Sequence, residues 1–175
     1  MPAEPQGFDP ERILASLERH GVDYVMVGGF ASQLHGARRQ TYDIDFVPAA
    51  NEANDDRLAS ALRELGARLR VAGLTDEEAR QLPVTIDAAT LRAFGSTTGT
   101  TDAGPLDVLR ELPVTGGRRT FDELIQRSTD VSVDGIVIHL ASLDDIIDSK
   151  THADRPKDRE ALPELHRLRK SAPDV

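Results

Sequence analysis

The sequence predicts an α/β fold, and three observations carry that prediction. Residues 22–47, VDYVMVGGFASQLHGARRQTYDIDFV, read as strand, glycine turn, short helix and second strand. Residues 9–20 and 51–65 carry apolar positions at helical spacing, each between an N-cap side chain and a closing glycine. Asp134-Gly135 separates two β-branched runs, which is a strong two-residue hairpin signal.

The elements follow in chain order. Residues 1–8, with two prolines and a glycine, form a loose lead-in. Asp9 caps the first helix, Pro10 occupies its first turn, and Ile13, Leu14 and Leu17 form its apolar stripe before Gly21. The apolar, β-branched run 22–27 is a buried strand ended by Gly28 and Gly29, which let the backbone turn sharply beside a ligand. Residues 30–35 make a short helix stopped by Gly36. Residues 42–47 make the next strand, ended by Pro48. In the helix 51–65, Leu58, Leu62 and Leu65 share one face.

The middle of the chain gives weaker signals. Residues 69–71 suggest a short strand, and 75–81 a short helix capped by Thr75 with Glu78 three residues on. Residues 84–88 fit either state. Residues 91–97 read as a strand, and GSTTGTTDAG (95–104) as a hairpin loop without the lysine of a P-loop. Thr120 and Glu123 open a helix over 120–127, and strands 131–133 and 136–140 flank Asp134-Gly135. Ser142 caps the last helical region, with Asp144 and Asp145 in its positively polarised first turn. There Leu143, Ile146 and Ile147 face inward, and Lys150 follows Ile146 by one turn. Arg155-Pro156-Lys157-Asp158 begins another helix, and 162–170 closes the chain with a basic tail.

The chemistry concentrates at Asp43-Ile44-Asp45-Phe46. Alternation on a strand puts Asp43 and Asp45 on one face, with Cα atoms about 7 Å apart, and Ile44 and Phe46 on the other. Two neighbouring carboxylates repel and hold raised pKa values unless a cation joins them. Mg²⁺, which takes oxygen ligands and phosphate oxygens, is the economical cation. An isolated Asp-x-Asp is more often a pair of solvated side chains. Here an apolar strand, GG and a fixed spacer precede it. A further acid, Asp107, interrupts the apolar run Pro105-Leu106-Asp107-Val108-Leu109, where a carboxylate is costly unless paired or metal-bound. Asp87 and Asp102 compete with it as a third carboxylate.

The string GGFASQLHGARRQTYDIDF resembles nucleotidyltransferases of the DNA polymerase β superfamily, and more narrowly the AbiEii-type and MenT-like toxin nucleotidyltransferases. The resemblance returns at SLDDIIDSKTHADRPKDREAL near the end of the chain. It implies a nucleotidyltransferase fold: a short mixed sheet flanked by helices, with C-terminal helices completing the cleft. It divides the chain into a core over 1–140 and a helical segment over 141–175 packed on that core.

The resemblance also implies two Mg²⁺ ions on Asp43, Asp45 and Asp107, and an NTP bound by Gly28, Gly29, Ser32, Arg39, Lys150 and Asp158. Asp43, Asp45, Asp107 and Lys150 are the implied catalytic set. The reaction would move a nucleoside monophosphate to an acceptor hydroxyl, at the 3′ end of a tRNA by likeness to the toxins, with a cognate antitoxin protein as partner. A protein or small-molecule acceptor, or a catalytically silent antitoxin or binding module, are the competing readings; intact GG and DxD disfavour silence.

Composition bounds these readings. At 175 residues with 39% hydrophobic content the chain can bury one core, filled by aliphatic side chains because aromatics are only 4%. The absence of cysteine excludes disulfides and thiolate metal sites. The five histidines lack metal-ligand spacing. No apolar run approaches the ~20 residues that cross a membrane, and the first residues are unlike a signal peptide, so a cytoplasmic location is expected. A net charge of −9 opposes a broad nucleic-acid surface. An RNA acceptor therefore requires a local basic rim. Arg38, Arg39, Lys150 and Arg155 are available for it, as are Lys157, Arg159, Arg118 and Arg119.

Overall fold

The computed structural model describes residues 7–70, 73–75, 77–78, 81–82 and 86–172, with the side chain of Phe94 left aside. Asp9 caps α1 (Pro10–Arg19) by accepting the Arg12 N–H at 2.9 Å, and Ile13, Leu14 and Leu17 are buried. The chain then enters β1 (Tyr24–Val27), every residue of which is buried, turns directly into α2 (Gly28–Leu34) and returns as β2 (Ile44–Pro48). Helix α3 (Glu52–Glu64) follows, capped by Asn51.

Buried Asn54 fastens this corner. Its Nδ2 donates to Asp23 O at 2.9 Å and Ala49 O at 3.0 Å, and its Oδ1 accepts the Asp23 N–H at 2.8 Å. A buried amide with all these partners satisfies the backbone groups where β1 begins and β2 ends.

After β3 (Arg68–Leu69), α4 (Ala88–Phe94) leads into the hairpin β4 (Thr97–Thr101) and β5 (Gly104–Val108). A small separate hairpin, β6 (Leu112–Val114) and β7 (Gly117–Arg119), precedes α5 (Phe121–Ile125), which has a complete capping box from Thr120 and Glu123. Strands β8 (Thr129–Val133) and β9 (Ile136–Leu140) turn at Asp134 and Gly135, both at positive φ as a primed hairpin turn requires. The chain ends with α6 (Leu143–Ala153) and α7 (Pro156–Ser171).

Seven strands form one mixed sheet in the order β3-β4-β5-β2-β1-β9-β8. Strand β2 is antiparallel to β1 and parallel to β5, and β1 is parallel to β9. Helix α1 packs on α3 and β9, and α4 on α3; α6 packs on α7, α2 and the β6 strand. Ile44, Phe46, Val25 and Met26 in the central strands are fully buried with Leu58 and Ile138. Apolar burial of this kind is the main driving force for the fold.

The sequence reading departs from the structure in four places. Of the expected strand 91–97 only Thr97 lies in one: Asp87 caps α4 by accepting the Thr90 N–H at 2.7 Å, and the helix formers Ala88, Ala89, Leu91 and Arg92 outweigh the β-branched threonine. The stretch 95–104 is mostly strand rather than loop, with the turn confined to 102–103. There the Thr101 hydroxyl accepts the Ala103 N–H and donates to Gly104 O. The β6–β7 hairpin carried no expectation. Asp43 precedes the strand instead of lying within it, because pairing begins at Ile44. The Thr75–Glu78 capping contacts are present, while much of 75–81, Val71 of the expected strand 69–71, and residues 84–85 fall outside the described residues.

Candidate active site

The glycine pair is shaped by the acids opposite it. Gly28 stands at φ +71°, and a Cβ there would lie 2.1 Å from Asp45 Oδ2. A Cβ on Gly29 would lie 2.8 Å from Thr41 Oγ1, and that hydroxyl in turn hydrogen-bonds Asp43 Oδ1. The missing side chain of Gly28 is therefore the space in which the Asp45 carboxylate is seated, and that of Gly29 the space of Thr41, which holds Asp43. Ser32 is buried and its hydroxyl donates to Gly28 O at 2.9 Å, one turn into α2, so it braces the turn.

Strand register supplies the third acid. Asp45 on β2 is directly beside Asp107 on β5, in a parallel pair whose strands run about 4.8 Å apart. The rival acids are engaged elsewhere: Asp87 caps α4 and Asp102 pairs with Arg68 at 2.8 Å. Burial first, then Asp43 and Asp107, push the Asp45 carboxyl up to about 7, against the pull of Lys157 and Lys150. Burial also raises Asp107, partly offset by hydrogen bonding from Thr98 and Asp45. Like charges crowded in this way favour a proton or an added cation.

The C-terminal helices bring the opposite charge. Lys150 on α6 reaches 3.4 Å from Asp158 Oδ1, and Arg155 donates through Nε to Asp158 Oδ2 at 2.6 Å. Asp158 is completely buried. Burial raises its pKa, but Arg155 and Lys150 outweigh this and hold the carboxyl below the usual carboxylate range. Asp158 thereby fixes two cations at the edge of the carboxylate wall.

These groups enclose a cleft of about 360 Å³. Its lining combines Gly28, Gly29, Ser32, Asp43 and Asp45 with the cations Arg39, Arg70, Lys150, Arg155 and Lys157. Asp107 and Asp158 line an adjoining cleft that shares Gly28, Asp45, Lys150 and Arg155 with the first. The expected rim is thus half assembled. Arg38 lies in a separate surface depression, Arg118 pairs with Glu111, Arg119 lies beside Asp145, and Arg159 pairs with Asp154. Arg70 and Thr41 join the site without any sign in the local sequence. Arg39 points into the cleft yet pairs with Glu160 at 2.7 Å.

Carboxylate oxygens and cations gathered in one cleft suit a polyphosphate bound together with a divalent metal. Among the described residues no three acidic or imidazole side chains close around a metal by themselves. Phosphate oxygens and water would have to complete the shell, as is usual for Mg²⁺.

The family of nucleotidyl transferase AbiEii toxins of type IV toxin–antitoxin systems matches residues 12–162. The chain belongs to the AbiEii family. Membership places this AbiEii chain among nucleotidyltransferase enzymes, and solved structures agree on the fold. The lincomycin-bound lincosamide antibiotic adenylyltransferase LnuA is similar at 16% identity and TM-score 0.60, covering 93% of this chain and 99% of that one. ANT(2")-Ia in complex with adenylyl-2"-tobramycin is similar at 18% identity and TM-score 0.52, over 93% of each chain. An antigenic nucleotidyltransferase-like protein from Paracoccidioides brasiliensis is similar at 14% identity and TM-score 0.52, over 96% of this chain and 80% of that one. No curated protein sequence matches. Among the described residues no helix is long and apolar enough to cross a membrane.

Proposed function

We propose that this AbiEii-family enzyme transfers a nucleoside monophosphate from an NTP to a hydroxyl at the 3′ end of a tRNA, releasing pyrophosphate. The observation that carries the proposal is the convergence of Asp43, Asp45 and Asp107 with Lys150, Arg155, Lys157 and Arg70 around one turn, Gly28-Gly29. In the reaction a bond forms between the acceptor oxygen and the α-phosphorus. The bond from that phosphorus to the α–β bridging oxygen breaks, pyrophosphate departs with its electron pair, and the acceptor proton passes to Asp107 or to water. Lys150, Lys157 and Arg70 would hold the triphosphate against the turn and neutralise charge that grows on the leaving group. Asp43, Asp45 and Asp107 would hold Mg²⁺, which supplies charge neutralisation and a more acidic acceptor hydroxyl.

The RNA acceptor rests on likeness to the toxin enzymes. The net charge of −9 does not oppose it, because salt screens the remote acids beyond about 8 Å. The cations of this cleft serve the triphosphate, and Arg39, Lys150 and Arg155 are already paired with Glu160 and Asp158. Family membership adds a cognate antitoxin as the expected protein partner. A second reading, a small-molecule hydroxyl acceptor, is favoured by the fold shared over nearly the full length of LnuA. Incubation with each labelled NTP, Mg²⁺ and either total tRNA or lincosamide and aminoglycoside acceptors tests both. Label on tRNA that disappears in Asp45→Ala supports the first reading; label only on a small molecule replaces it with the second.

A further inference from the structure

Strand β4 is the run TTGTT, and its four threonines are not equivalent. Thr97 lies opposite Val108, and its hydroxyl is buried without a hydrogen-bond partner among the described residues. Thr100 lies opposite Pro105, and the Thr101 hydroxyl serves the turn into β5. Thr98 alone of the four lies directly opposite an acid, Asp107.

The register extends this pair into a row. Thr98 on β4, Asp107 on β5 and Asp45 on β2 are successive partners across three neighbouring strands. Directly opposed residues set their side chains on one face of a sheet, with Cβ atoms about 5 Å apart. A hydroxyl on one side and a carboxyl on the other close that distance, and Thr98 hydrogen-bonds Asp107. Arg70 continues the line past the end of β3. Its N–H donates to Thr98 O at 3.0 Å, and its charge acts on the same Asp107 carboxyl. On the opposite flank the Thr41 hydroxyl donates to Asp43 Oδ1. Each outer acid of the cluster therefore has its own threonine, while the middle one, Asp45, is seated against Gly28.

We infer that Thr98 is a positioning residue for Asp107: its hydroxyl holds one edge of the carboxyl and thereby turns the other toward Asp45 and the reacting groups. The inference rests on the nucleotidyltransferase reading, which gives Asp107 its work, and adds what aims it. The terminal torsion of an aspartate is broad, so the carboxyl plane needs a partner to fix it. Threonine is a stiff partner, because its branched Cβ restricts χ1. The Thr98 side chain is exposed and contributes nothing to the core, so its hydroxyl can be removed without a packing defect. Valine is the clean replacement: it keeps the branched shape, favours strands and lacks only the donor.

The test compares wild type with Thr98→Val, Thr98→Ser, Asp107→Asn and the double variant Thr98→Val with Asp107→Asn. One readout is the Mn²⁺ concentration that gives half the Mn²⁺-induced rise in melting temperature, with no nucleotide present. The other is kcat and KM for NTP in the labelling assay. Thr98→Val is expected to raise that Mn²⁺ concentration and to lower kcat, each by about tenfold or more, as loss of an outer partner of a ligating group does. The KM for NTP should hold, because Lys150, Lys157 and Arg70 grip the triphosphate. Thr98→Ser should stay close to wild type, and Thr98→Val should add nothing to Asp107→Asn in the Mn²⁺ titration. Thr98→Val equal to wild type in both readouts overturns the assignment. So does Thr98→Ser as impaired as Thr98→Val, which traces the loss to shape, or a full further loss in the double variant, which traces it to another group. Wild type that responds to Mn²⁺ yet transfers nothing overturns the reaction reading alone, and the Mn²⁺ titration still decides Thr98. Wild type that shows no Mn²⁺ response and no transfer overturns both.

Discussion

Asp45 and Asp158 are both carboxylates withdrawn from solvent at the same pair of clefts, and they differ in almost every other respect. Asp45 on β2 has the acids Asp43 and Asp107 beside it and is pushed up to about 7, by burial first. Asp158 is the more buried, at 0% exposure, yet its pKa is lowered, because Arg155 and Lys150 lie 2.6 and 3.4 Å away. Burial alone would raise both. Burial is the first cause at Asp45 and is reinforced by Asp43 and Asp107, whereas at Asp158 two neighbouring cations outweigh it. The difference separates the roles: Asp158 already has its counter-charges within the fold, whereas the group around Asp45 lacks its own.

The largest test of this contrast is loss of activity. Asp45→Asn should lower nucleotide transfer by about a thousandfold while the protein stays folded, measured by NTP labelling and circular dichroism. Equal activity in Asp45→Asn and wild type would place the reacting centre elsewhere.

Asp158→Asn should break the contrast from the other side. Removing one member of a buried ion group leaves Lys150, 15% exposed, without its partner, and unfolding in urea should show a loss of about 3 kcal/mol. Transfer should fall as well, through displacement of Lys150. An unchanged stability would mean that water already satisfies that lysine.

The two acids should also give opposite pH slopes. The folded pKa of Asp45 stands above its unfolded value, so the folded state holds the extra proton. Its favourable contribution is complete below pH 4 and disappears as pH rises to about 7. Asp45→Asn should therefore stabilise the metal-free protein by roughly 4 kcal/mol at pH 8 and by little at pH 4. Asp158 has a lowered folded pKa, so its contribution is present at neutral pH and is lost on acidification below the ordinary carboxylate range. Thermal melts from pH 3 to 8 would reveal both slopes; parallel slopes in wild type and Asp45→Asn would remove the first assignment.

The smallest effect belongs to Arg39→Ala. Its pair with Glu160 is largely exposed, so stability should change by less than about 1 kcal/mol, while the affinity for NTP falls measurably.

Legibility in the sequence followed the range of the interactions. Gly28, Gly29, Asp43 and Asp45 were readable because a turn and the next strand are local, and spacing alone puts them together. Asp107 was readable as an acid in an apolar run; only the register of β2 on β5 puts it beside Asp45. Arg70 was invisible, since nothing near it marks it and its position depends on how the sheet edge folds toward α7. Arg118 and Arg119, available from sequence for a rim if they converged on the cleft, line neither cleft and lie instead beside Glu111 and Asp145. The helix α4 was misread because Thr90 and Thr97 imitate a strand, and the cap at Asp87 carried more weight than either. The β6–β7 hairpin escaped because Pro113 opposes a strand in isolation, yet an edge position tolerates it.

The seat that Asp45 occupies beside Gly28 has a genetic consequence. Every missense change of a glycine codon introduces a Cβ, and at Gly28 any Cβ falls on Asp45 Oδ2 in a backbone conformation that other residues resist. One base change at that codon would therefore displace the carboxylate, and on the proposed mechanism that single substitution would be enough to disarm transfer.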